Sequence, residues 1–133
     1  MRTRIIVGII GVMAVAGAAT LAARGTDAVR ADKQWSIVNF ADPVWVLGNV
    51  VMGPVLIVHD SDKMARGEAC TTFYRFKPGQ GPTDEIVSFH CQPRQGTRAE
   101  TTTFTTVYTE PGCKRLVEYQ IGGDAEVHGV PFK

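Results

Sequence analysis

Soft donors and imidazoles gather in one part of this chain. Between Val55 and Cys91 (VLIVHDSDKMARGEACTTFYRFKPGQGPTDEIVSFHC) lie His59, Met64, Cys70, His90 and Cys91. Thiolate and thioether sulfur with imidazole nitrogen is a donor set that selects copper, and the thiolates and imidazole also suit zinc. His59, Met64, Cys70 and Cys91 are therefore a candidate copper or zinc set. No C-x₂-C pair marks it, so the set stands on proximity in the chain rather than on a diagnostic spacing. The two cysteines have a second chemistry. In an oxidising compartment a Cys70–Cys91 disulfide is the default, closing a loop of about 20 residues. Cys113 is then left over, as an intermolecular link, a modification site or a buried thiol.

Catalysis is less well supplied. A cysteine nucleophile needs a base within hydrogen-bond reach. Cys91 directly follows His90, and neighbours on a strand face opposite ways, so these two do not form such a pair. By the same alternation His90 points away from the cysteine face. His59 closes an apolar run, where a hydrogen-bonded structural histidine is the plainer reading, and His128 stands alone near the C terminus. Asp60 and Asp62 resemble the opening of a calcium loop, but the glycine and the remaining ligands are missing from the required positions. There is no P-loop, dinucleotide fingerprint, nucleophile elbow or haem-attachment motif. The expectation is a non-enzymatic protein.

The elements that would position these side chains are strands. Ala69–Phe76 and Glu85–Cys91 are rich in Thr, Val, Ile, Phe and Tyr, and KPGQGPTD between them cannot continue either run. A hairpin with its turn centred on Gln80-Gly81 sets Cys70 opposite Cys91, Thr72 opposite Phe89 and Tyr74 opposite Val87. That register places both cysteines on one face and leaves His90 on the other. Further strand-like runs cover Trp35–Phe40, Val44–Met52, Val55–His59, Thr101–Thr109, Lys114–Ile121 and Ala125–Val130, separated by Pro, Gly and Asn. Gly48-Asn49 reads as a tight turn or a bulge, and His59–Gly67 as a loop holding one helical turn. The fold class expected is all-β, a small antiparallel sandwich or barrel of seven to eight strands. Its inward residues are expected to include Trp35, Val46, Val58, Phe73 or Tyr74, Phe89, Val117 and Tyr119.

The N terminus has a different character. Arg2 and Arg4 precede Ile5–Ala23, which carries no charge. This is the pattern of a secretory signal, with Ala16-Gly17-Ala18 as a cleavage site. The same stretch is long enough to span a bilayer, so an uncleaved anchor is the rival. Residues 1–23 are read as signal peptide or transmembrane anchor helix, 24–33 as a polar spacer, and 34–133 as an exported β domain, periplasmic or extracellular. A net charge of +1 gives no electrostatic reason for nucleic-acid binding. Two functions follow from the sequence. One is a binding or accessory protein of the cell envelope, docking on a protein partner or a larger complex. The other is a periplasmic metal-binding protein using His59, Met64, Cys70 and Cys91.

Overall fold

A computed structural model describes residues 33–132. The signal or anchor segment and the spacer up to residue 32 lie outside the described residues. Eight strands form the fold: β1 (Lys33–Val46), β2 (Asn49–Asp60), β3 (Thr71–Arg75), β4 (Glu85–Phe89), β5 (Gln92–Gln95), β6 (Thr103–Glu110), β7 (Cys113–Gln120) and β8 (Glu126–Gly129). One helical turn, α1 (Ser61–Ala65), follows β2. None of the described helices is long and apolar enough to cross a membrane.

The strands make one sheet in the order β4-β3-β2-β1-β7-β8-β5, with β6 paired to the other side of β7. It curls into half a barrel. The β-rich class agrees with the sequence; the expected all-antiparallel arrangement does not. β1 and β7 run parallel, joined at Val44–Lys114 and Trp45–Arg115. Of the two expected shapes, the barrel is met in part, as a half-barrel in one curled layer, and the sandwich is not.

The first two strands are longer than their proline signals suggest. β1 runs through Pro43 and β2 through Pro54, so the three expected segments between Trp35 and His59 are two. Pro43 is tolerated because it falls in the irregularity between Phe40 and Val44, where the ladder is interrupted. The reversal comes at Leu47-Gly48, both at positive φ (49° and 80°), the backbone of a tight turn that matches strand twist.

The inner face of the curl is the core. Val46, Val51, Val55, Ile57, Phe73, Phe89, Leu116, Tyr119 and Ile121 are buried there. Trp35 is not among them; it is 52% exposed, on the outer face of β1. Val58 and Val117 are half-buried. On β7 a shift between Thr105 and Thr106 skips Val117, so Leu116 and Tyr119 turn inward in place of a strict Val117-Tyr119-Ile121 alternation.

The β3–β4 hairpin is one residue out from the symmetric register. Thr71 pairs with Phe89, Thr72 with Ser88 and Phe73 with Val87; beyond a shift at Phe73/Tyr74, Tyr74 pairs with Glu85. Val87 and Phe89 face inward as expected, but on β3 the inward residues are Thr71 and Phe73, not Thr72 and Tyr74. The skipped Ile86 makes the hairpin asymmetric, which a turn centred on Gln80-Gly81 cannot anticipate.

Candidate metal centre

Three side chains from distant parts of the chain converge at one end of the curl. β2 alternates inward at Val55, Ile57 and His59, and His59 is fully buried. β4 alternates inward at Val87 and Phe89 and delivers Cys91 two residues beyond its end, also fully buried. β8 pairs with β7 at Tyr119–His128, and His128 is fully buried as well. The His59 Nε2 and the His128 Nδ1 each stand 3.5 Å from the Cys91 Sγ. All three ligand atoms lie within 4.8 Å of one another.

Cys91 has two further sulfur neighbours. The Met64 Sδ, carried in by α1, is 3.6 Å from the Cys91 Sγ, and the Cys70 Sγ is 3.0 Å away. The turn of α1 is fixed by Asp60, whose carboxylate accepts hydrogen bonds from the backbone N–H groups of Asp62 and Lys63. The Cys91 backbone N–H donates to the Cys70 Sγ at 3.2 Å.

These distances separate ligands from neighbours. A tetrahedral ion with bonds of ~2.0 Å to nitrogen and ~2.3 Å to sulfur holds N and S ~3.5 Å apart and two sulfurs ~3.8 Å apart. Both histidine nitrogens fit that spacing to Cys91, and Met64 fits it closely. Cys70, at 3.0 Å, is too near Cys91 for both sulfurs to ligate one ion without moving apart. It is also beyond the ~2.05 Å of a disulfide. The expected Cys70–Cys91 bridge is therefore absent: both are free thiols. The reason lies in the register. With Thr71 opposite Phe89, Cys70 falls opposite His90, and Cys91 lies one residue further along, so the two cysteines meet diagonally.

The surroundings keep the imidazoles neutral. Burial, and then the neighbouring His128, lower the His59 pKa to about 4. Burial lowers that of His128 too, against the pull of Asp124. A neutral ring offers a nitrogen lone pair. Burial first, then the Cys70 sulfur, push the Cys91 thiol up to about 12, so an incoming cation must displace its proton. The rings are held by stacking. His59 and His128 lie 4.1 Å apart centre to centre, and Tyr119 stacks on His128 at 4.9 Å while its hydroxyl hydrogen-bonds to Thr71. The Asp124 carboxylate stands 3.8 Å from the His128 Nε2, in position to orient that ring. Among the described residues the His59 Nδ1 and His128 Nε2 have no hydrogen-bond partner. Both are the ring nitrogens turned away from the Cys91 sulfur, so an ion held by the other two would leave them unpaired as well.

The sequence expectations sort accordingly. His59, Met64 and Cys91 come together as a candidate centre. Cys70 stays beside it as a neighbouring thiol. His128 replaces it, and nothing in the local sequence marks that residue. His90 is exposed and faces away, its ring near the Met64 carbonyl, as alternation requires. Cys113 opens β7 opposite Glu110 and is free.

Two expected outcomes follow. Protein unfolded without reductant should show three free thiols in a thiol-counting assay; one free thiol would restore the disulfide. The metal-free protein should also be acid-labile. Between pH 6.5 and about 4 the unfolded chain protonates His59 while the folded chain resists, so stability falls as pH drops through that window. A shift of this size corresponds to on the order of 3 kcal/mol. Urea unfolding at both ends of the window should show the drop in the parent and a smaller one in His59→Gln. Equal slopes in the two would remove His59 as the cause.

In comparisons with known proteins, no family model, curated protein or solved structure matches this chain.

Proposed function

We propose that this chain is an exported, non-enzymatic metal-binding protein whose Cys91, His59 and His128 hold a copper ion, with Met64 as a fourth, weaker ligand. The observation that carries this reading is the pair of 3.5 Å nitrogen–sulfur distances on Cys91, made by two neutral, fully buried imidazoles. Two histidines, one cysteine and a thioether make up the donor set of copper sites that pass electrons. Zinc would use the same Cys and His atoms but gains little from Met64. Copper bound there would supply a one-electron couple. The protein's own contribution is to dry the site, to keep both rings unprotonated, and to hold His128 between Tyr119 and His59 so that little rearrangement accompanies binding. Cys91, His59 and His128 are fully buried and the half-buried Met64 takes the fourth position, which favours carrying an ion or an electron over catalysis. This puts the metal-binding function ahead of the partner-binding one.

The test is elemental analysis of protein isolated from an export compartment, followed by anaerobic copper titration. One copper per chain is expected, and the Cu(II) form should show an intense visible thiolate-to-copper absorption that Cys91→Ser abolishes. Zinc in place of copper would reassign the ion, and absence of any metal together with no uptake would sink the reading.

A further inference from the structure

The outer face of the β1–β2 hairpin is apolar where a solvated face is expected. An antiparallel sheet with one face on the core ordinarily turns polar residues outward. Here pairing and alternation place Trp35, Ile37, Asn39 and Trp45 of β1 outward, facing Val58, Leu56, Pro54 and Val50 of β2, with Met52 opposite the irregularity. None of these nine residues is charged and one, Asn39, is polar. Trp35, Ile37, Trp45, Val50 and Met52 are each 39–59% exposed. Val50 to Val58 spans ~27 Å of strand at ~3.3 Å per residue, so the stripe is long; within it Leu56 is buried and Val58 half-buried between the exposed residues. Soluble monomers rarely leave a contiguous apolar surface of this kind uncovered.

We propose that this stripe lies on a lipid bilayer surface, flat along its length, and holds the domain there with the metal centre on the opposite, inner face of the sheet. Two features favour lipid over another occupant. Nine residues separate the uncharged stretch Ile5–Ala23 from Lys33, where β1 begins. Nine residues reach at most ~30 Å, so a bilayer holding that stretch lies within range of the stripe's first residues. Tryptophan prefers the membrane–water interface, and both tryptophans of the chain are on this stripe, one near each end. With a net charge of only +1 to draw on, the attachment is apolar and insensitive to salt.

The two tryptophans make the test direct. Full-length protein is reconstituted into phosphatidylcholine vesicles with and without brominated acyl chains, as Trp35→Phe and as Trp45→Phe, so that each retains one reporter. Emission from both is expected to shift to the blue and to be quenched by bromine, unchanged at high salt. Trp45 decides the matter, because a tether alone would bring only Trp35 near the lipid. Quenching of Trp35 without Trp45 would overturn the flat arrangement. Unquenched, water-like emission from both would overturn bilayer contact. A blue shift that grows with protein concentration and ignores bromine would assign the stripe to a second copy of the chain. Ile37→Ser with Met52→Ser, both at exposed positions, should release Trp45 from quenching and leave copper uptake intact.

Discussion

Copper(I) added to the metal-free protein is expected to raise its melting temperature by on the order of 10–20 °C, and Cys91→Ser to abolish that rise. A ligand at 100 times its dissociation constant stabilises the folded state by ~2.7 kcal/mol. In a domain of about 100 residues each kcal/mol moves the midpoint by about 4–8 °C. Cys91 is the residue to remove because its sulfur touches all the others: His59 and His128 at 3.5 Å, Met64 at 3.6 Å and Cys70 at 3.0 Å. A serine oxygen is too hard a donor to replace it for a soft ion. Since the thiol proton must leave, the rise should shrink as pH is lowered. His128→Ala should weaken the effect as His59→Ala does, and Cys113→Ser should leave it alone. Scanning calorimetry with and without the ion reads all four. A rise that persists in Cys91→Ser would place the ion elsewhere, and no rise in the parent protein would remove the site.

Phe73→Ala should cost about 3–5 kcal/mol, enough to unfold much of a small domain, whereas Tyr74→Ala should cost far less. Phe73 is fully buried, 6.0 Å from the ring centres of both Phe89 and Tyr119. Its loss leaves a cavity directly behind the residue that stacks on His128, so reduced copper affinity should accompany the destabilisation. Tyr74 sits on the outer face, half-buried. Urea denaturation of the two variants separates the registers cleanly. If Tyr74→Ala proved the more damaging, the hairpin would have the symmetric turn and the inner face of β3 would be Thr72 and Tyr74.

Part of this was legible in the residues themselves. β-branched and aromatic runs separated by Pro and Gly specify strands whatever their neighbours are, because the preference for a pleated backbone is local. Alternation then placed Phe89 inward and His90 outward, and both positions hold. The concentration of His59, Met64 and Cys91 in one stretch was visible for the same reason, since β2, α1 and β4 are near neighbours in the chain. What only the tertiary structure decided depends on contacts without a local signature. The skipped Ile86 moved the β3–β4 register by one residue, turning Phe73 inward and making the two cysteines meet diagonally. Pro43 and Pro54 looked like strand ends, but an interrupted ladder tolerates the first, and the chain reverses instead at Leu47-Gly48. His128 lies 37 residues from Cys91 and reaches it only because the sheet curls to bring β8 over the inner ends of β2 and β4. A curl is the sum of twists and shifts across eight strands, and no short window of sequence contains it. The chain's local chemistry named the cysteine and the first histidine; the curvature of the sheet supplied the second.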